Sequence, residues 1–146
     1  MLRLVLGAWA ELREDAEPVR RAVFVHEQGC DETREFDVFD AASLHCVAYR
    51  GEEPVGTGRL LPAGRIGRMA VTAAHRRRGI ASRILERLVA AAAARGDAQL
   101  VLHAQVAVAD FYRRHGFRSE GKHFDEEGIA HVVMRRRLGS TGEIQP

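Results

Sequence analysis

Arg76-Arg77-Arg78-Gly79-Ile80-Ala81 stands between an apolar run, Ile66–Val71, and a segment in which Ile80, Ile84, Leu85, Leu88 and Val89 recur at helical spacing. A strand that turns through a glycine into a helix aims successive backbone N–H groups, and the positive end of the helix dipole, at one point. With Arg76, Arg77 and Arg78 beside them, those groups make a site for an anion, most naturally a pyrophosphate. Gly79 matters because a side chain there would hold the phosphate away from the backbone. No Gly-Lys-Ser/Thr follows to hold Mg²⁺, and no GxGxxG fingerprint is present, so neither a Walker loop nor a dinucleotide fold is indicated.

A second group is Asp110-Phe111-Tyr112-Arg113-Arg114-His115-Gly116-Phe117. Phe111 and Phe117 read as core aromatics. Tyr112, one turn from a helix end, is placed to present its hydroxyl to a cleft and donate a proton.

The elements that must position these groups can be read along the chain. A strand is expected over Arg3–Gly7 and a helix over Asp15–Val25, followed by an acidic, irregular stretch from Glu27 to Asp40. Leu44–Arg50 and Val55–Leu61 read as strands joined by the turn Gly51-Glu52-Glu53-Pro54. After Ile66–Val71 a helix runs to Arg95-Gly96, where glycine is the expected stop. A short strand at Leu100–Ala104, a short helix at Ala107–His115 and a strand pair at Phe117–Phe124 and Ile129–Leu138 complete the pattern. The result is a mixed sheet with helices on its faces, an α/β or α+β layer fold. No linker or repeat divides it, so 1–138 is expected to be one domain and 139–146 a flexible tail.

The 146 residues suffice for one core, and 46% hydrophobic with 29% charged residues is an ordinary globular balance. No apolar run approaches the ~20 residues of a membrane span, and no signal-peptide pattern opens the chain. Cys30 and Cys46 form no CxxC and no disulfide framework, which suits a cytoplasmic setting. The net charge of +2 is too small to indicate a nucleic-acid partner. Lys122 is the sole lysine, so the abundance of arginine reads as a coding bias, and arginine positions rather than counts carry weight. The seven histidines show no metal-ligand spacing such as HExxH, so no metal is expected.

Arg76-x-x-Gly79-x-Ala81 after a Met-Ala-Val strand resembles the acetyl-CoA signature of the GNAT acetyltransferase superfamily, and Phe111-Tyr112-x-x-x-Gly116-Phe117 resembles its second landmark. Val23-Phe24-Val25-x-Glu27-Gln28, His103-Ala104-Gln105 and Phe124-x-Glu126-x-Gly128-Ile129-x-His131 are similar to the ElaA-like branch. The resemblance covers about Arg20 to Leu138. It implies the acyl-CoA N-acyltransferase fold, a mostly antiparallel sheet whose central strands splay to admit acetyl-CoA as co-substrate.

The same resemblance implies that the pyrophosphate rests on the backbone of Arg77, Arg78, Gly79, Ile80, Ala81 and Ser82, with Arg76 beside it. It lays the pantetheine arm along Met69, Ala70 and Val71. The asparagine common in relatives after the second strand is absent, and Gln105 stands nearby. The implied reaction is direct attack of a primary amine on the thioester, with a small-molecule or peptide acceptor. Dimerisation is common in such folds, which leaves a homodimer open.

An alkylamine with a pKa near ~10.4 must lose a proton before attack. Glu27 is the first candidate base, with His131 and His103 as alternatives that also read as structural histidines. Tyr112 is the candidate acid for the leaving thiolate, and a backbone N–H within Met69–Val71 the candidate oxyanion donor. If the acidic stretch lines the acceptor side, it favours a cationic acceptor. Two other readings stay open: an acyl-CoA-binding relative without catalysis, and a nucleic-acid module gripping phosphates through Arg76–Arg78 and Arg135–Arg137.

Overall fold

A computed structural model describes residues 1–138, so the expected tail lies outside the described residues. Seven strands form one sheet: β1 (Leu2–Ala8), β2 (Leu44–Arg50), β3 (Glu53–Leu61), β4 (Arg65–Val71), β5 (Gln99–Gln105), β6 (Arg118–Glu126) and β7 (Ile129–Arg137). Their order in space is β1-β2-β3-β4-β5-β7-β6, antiparallel at every pairing except the parallel one between β4 and β5. This is the mixed, mostly antiparallel sheet flanked by helices that the sequence implies.

Two helices cover the middle of the sheet. The helix Trp9–Arg20 (α1) packs Leu12 and Ala16 against Val47 and Tyr49 on one face. On the opposite face the helix Ile80–Ala94 (α3) buries Ile80, Ile84, Leu85, Leu88 and Ala92, a stripe at intervals of three and four residues. β2 and β3 lie between the two helices, which is why burial runs along them almost without alternation and takes in even His45, Thr57 and Arg59. Gly56 and Gly58 let α3 approach β3. A Cβ at Gly58 would come within 2.5 Å of the Met69 Sδ and 3.1 Å of the Leu88 Cδ1.

The first helix departs from its expected bounds of Asp15–Val25. It begins at Trp9, where the Glu11 carboxylate accepts the N–H of Ala8 at 2.9 Å and so caps the start. The run of acidic residues around it hid the stripe of Trp9, Leu12, Ala16 and Val19. Past Pro18 the chain widens into a π-helical segment, Arg21–Glu27, in which the N–H of Gln28 reaches back to the Val23 carbonyl at 3.0 Å. The acidic stretch holds a short helix, Glu32–Glu35 (α2), capped by the Asp31 carboxylate. A last helix, Ala109–Arg114 (α4), follows a 3₁₀ turn at Val106–Val108, inside the span expected for it.

Two irregularities in β4 open the sheet. β4 joins β5 at Arg65↔Val101, and beyond that rung the strands diverge. On its other side, β4 bulges: Thr57 faces Ala70 and Arg59 faces Gly67, so Arg68 and Met69 share the space opposite Gly58. Arg68 adopts φ 52°, which turns the backbone at the bulge. From Ile66 to Val71, the β5-facing edge of β4 therefore has no sheet partner among the described residues.

Candidate active site

The fork between β4 and β5 opens into a cavity of about 550 Å³. Its floor is β4 from Arg65 to Val71, and the π-helical segment supplies Val23, Phe24 and Glu27 from one side. The wide turns of that segment bring these residues onto one wall. β5 contributes His103 and Gln105, β7 contributes His131, and α4 contributes Tyr112. Among the expected site residues, Met69, Ala70, Val71, Gln105, Tyr112, Glu27 and His131 thus line one space.

Where α3 begins, a smaller hollow of about 270 Å³ adjoins it through Val71 and Arg76. Gly79 is the N-cap at φ 77°, in the left-handed region, with no side-chain cap. The first main-chain bond of the helix runs from the Arg83 N–H to the Gly79 carbonyl at 3.2 Å. The N–H groups of Ile80, Ala81 and Ser82 consequently have no helical partner and point toward the hollow they line. Its chain neighbours apart, nothing lies within 4 Å of a Cβ built on Gly79, so a side chain there would stand in open space at the rim of the hollow that Gly79 lines. Arg77 also lines this space, whereas Arg78 lines neither hollow. His75 and Arg114 line it too, and the sequence reading did not single them out.

Arg76 turns away from the helix start. Its Nε donates to the Val71 carbonyl at 2.9 Å, and its two terminal nitrogens grip Glu27 with both bonds at 2.6 Å. The hydrogen bond from Arg76, reinforced by its charge, outweighs partial burial and holds the Glu27 carboxyl below its usual range. Tyr112 is shaped by the opposite influence. Burial among Phe111, Phe117 and the core pushes its hydroxyl up to about 12, so it keeps its proton at neutral pH.

The far wall carries His103, Glu126 and His131, on three neighbouring strands. His103 Nδ1 lies 3.0 Å from Glu126 Oε1 and 3.1 Å from Arg65 Nη2. His131 Nδ1 lies 2.7 Å from the Ile129 carbonyl oxygen, and its Nε2 is 4.0 Å from Glu126 Oε2. Gln105 donates to the Gln28 side chain at 3.0 Å, tying β5 to the end of the π-helical segment. Cys30 also lines the cavity, but burial pushes its thiol up, and Glu127 and Glu35 add to the effect. A thiol held in that form is a poor nucleophile.

The acidic stretch divides: Asp31 and Glu32 stay exposed, with Asp31 on the cavity wall, while its second half turns inward. Glu35, Asp37 and Asp40 fold inward onto Arg20, Arg59 and Arg68, three arginines from three different elements. Arg20 is 1% exposed and bonds Glu35 at 2.9 Å and Asp40 at 2.8 Å. Arg59 bonds Asp37 at 2.7 Å and Asp40 at 2.8 Å, and Arg68 bridges Glu35 and Asp37, each at 3.2 Å. These carboxylates are already neutralised and add little attraction for a cationic acceptor. The sequence offered one signal for this: Arg20 continues the stripe of Ala16 and Val19, a position where a lone charge would not be tolerated without partners.

Comparison with known proteins agrees with this geometry. Residues 12–138 match the family model of the GNAT acetyltransferase domain. The chain is 37% identical over 140 residues to YjcF, an uncharacterized N-acetyltransferase of Bacillus subtilis strain 168, covering 92% of this chain and 99% of that protein. Its fold is similar to an acyl-CoA N-acyltransferase from Pseudomonas aeruginosa, with TM-score 0.84, 29% identity and coverage of 93% and 99%. It is similar also to ElaA of Escherichia coli, with TM-score 0.85, 24% identity and coverage of 94% and 100%. With the sequence match extending from the first helix to the last strand, the chain belongs to the GNAT acetyltransferase family, whose chemistry is acyl transfer.

Proposed function

We propose that the protein transfers the acetyl group of acetyl-CoA to a primary amine by direct attack. The observation that carries this reading is the unpaired edge of β4 opening toward the uncapped start of α3. The backbone N–H groups of Ile80, Ala81 and Ser82 would hold the pyrophosphate, and the free edge at Met69, Ala70 and Val71 would bond the pantetheine amides as a strand does. The co-substrate supplies an acetyl thioester. A backbone N–H within Met69–Val71, on the edge of β4 that β5 leaves unpaired, would stabilise the oxyanion that develops on the thioester carbonyl. The amine nitrogen forms the C–N bond as the C–S bond breaks, and Tyr112 donates its proton to the departing thiolate. The amine's own proton passes to a base on the cavity wall.

In this reading the acceptor is a small molecule or a peptide amine, and residues 1–138 act as one catalytic domain in the cytoplasm. Among the described residues no helix is long and apolar enough to cross a membrane. Two measurements test the proposal. Isothermal titration should show binding of acetyl-CoA and none of duplex DNA. A panel of amines followed by free-thiol release should then show turnover. Binding without release for every amine would identify an acyl-CoA-binding relative, and preference for DNA would overturn the reading.

A further inference from the structure

Two groups compete for the role of base, and they stand in unequal surroundings. Glu27 has both carboxylate oxygens held by Arg76 at 2.6 Å, which weakens it as a proton acceptor. His131 is placed differently. Its Nδ1 lies 2.7 Å from the Ile129 carbonyl oxygen, and a carbonyl only accepts, so Nδ1 bears the hydrogen. The lone pair of the neutral ring is then on Nε2, on the side of Glu126. The ring lies nearly parallel to that of Phe124, with centroids 6.0 Å apart and 28° between the planes, which limits its rotation.

Glu126 sits between two imidazoles. Oε2 is 4.0 Å from His131 Nε2, and Oε1 is 3.0 Å from His103 Nδ1. Arg65 Nη2 is also 3.1 Å from His103 Nδ1, but an arginine only donates and a carboxylate only accepts. One nitrogen cannot satisfy both. With a hydrogen on Nδ1, His103 bonds Glu126 and fixes Oε1, which leaves Oε2 for His131. Among the described residues no three His, Cys, Asp or Glu side chains converge as metal ligands, this trio included.

We propose that His131 Nε2 takes the proton of the attacking amine, and that Glu126, which His103 steadies when its Nδ1 carries the hydrogen, is a positioning residue that stabilises the resulting imidazolium. This rests on the acetyltransferase reading above. The amine's N–H bond breaks as the bond to Nε2 forms; the nitrogen keeps its electron pair for the thioester carbon. The imidazolium returns the proton to solvent after turnover. His131 is 7% exposed, whereas Glu126 reaches it from a half-exposed position at 4.0 Å, so its effect on the forming cation is partly screened by water. The charged and titratable groups sharing the cavity with it are His103 from β5, Glu126 from β6, Glu127 from the turn, and Arg65, Arg68 and Arg59 from the sheet. Tyr112, the Glu27–Arg76 pair, and Cys30, Asp31, Arg34 and Glu35 from the acidic stretch share it too.

Nitrogen-15 NMR of the histidine side chains, with the His131 signal identified by its loss in His131→Asn, reads the tautomer without any need for turnover. The expected form in the neutral ring is Nδ1–H, and a hydrogen on Nε2 would overturn the assignment. With an amine that supports thiol release, Glu126→Gln should lower kcat about tenfold while KM for acetyl-CoA stays unchanged, and Glu126→Asp should recover part of the loss. His131→Asn should lose about 100-fold at pH 7, with the deficit shrinking toward pH 10 as the amine deprotonates unaided. If wild type turns over and Glu126→Gln matches it, this assignment falls and the acetyltransferase reading stands. If wild type binds acetyl-CoA but releases thiol with no amine, that reading falls and the assignment with it.

Discussion

Arg76 stands in the first position of the anion-binding loop, yet its guanidinium holds Glu27 and the Val71 carbonyl. The anion site therefore depends on backbone more than on this side chain, and the two can be separated by mutation. Gly79→Val should weaken acetyl-CoA binding about 100-fold or more, because a branched side chain would strain a left-handed residue and crowd the rim of the hollow where the anion must approach the backbone. Arg76→Ala should weaken it only a few-fold, about 1 kcal/mol or less. Titration calorimetry compares the two, and equal losses would mean that guanidinium charge dominates the site. At Tyr112 the phenol retains its proton up to about 12, so it can act as an acid throughout the physiological range. A thiol with a pKa of roughly 8.5 leaves without much help, so Tyr112→Phe should slow kcat only about tenfold. Acetyl-CoA affinity should be unchanged, and wild-type turnover in that variant would remove Tyr112 from the mechanism.

Helix α3 is positioned by what β3 lacks. Gly56 and Gly58 leave the sheet surface bare beneath Ile84 and Leu88, and the helix start is aimed at the cavity as a result. Gly58→Val should lift the helix and cost about 1–3 kcal/mol, read as a lower urea midpoint, with a parallel loss of acetyl-CoA affinity. A variant that lost stability but bound normally would show that helix seating and anion binding are independent. The stripe of Ile80, Ile84, Leu85 and Leu88 was legible in the sequence because each residue packs inward at regular spacing. The start of α1 was not, because its apolar positions are diluted by Glu11, Glu14 and Asp15 and its cap is a carboxylate three residues on. The meeting of Glu126 with His131 and His103 follows from the pairings Phe124↔His131 and Gln105↔His131. Sequence spacing does not reveal such register. The bulge and fork in β4 likewise depend on neighbours distant in sequence, and only the family resemblance implied the splayed strands.

At the scale of the whole molecule, Arg20, Arg59 and Arg68 with Glu35, Asp37 and Asp40 join the first helix, the sheet and the α2 loop through buried charge. Arg20→Met should destabilise by about 3–5 kcal/mol, since it strips a partner from two buried carboxylates. Burial pushes Asp40 up, but hydrogen bonds and charge from Arg20 and Arg59 more than offset this and hold it below its usual range; Asp37 is held down in the same way by Arg59 and Arg68. Their contribution is complete above about pH 4 and is lost as pH falls through the depressed folded values. Burial leaves Glu35 raised despite its arginines, so its protonation at mildly acidic pH works in the opposite direction. Urea midpoints should thus change little down to about pH 4 and fall steeply below it, with a flatter acid limb in Asp40→Asn. An equally steep limb in that variant would place the acid sensitivity elsewhere. The rung Arg65↔Val101 has a mechanical consequence as well. Across the fork, β1–β4 and β5–β7 are joined by side chains more than by backbone, so native-state amide exchange should resolve two panels that open at different free energies. A ligand bonded to both edges would solder this seam, and protection of Ile66–Val71 and Leu102–Gln105 would then rise together.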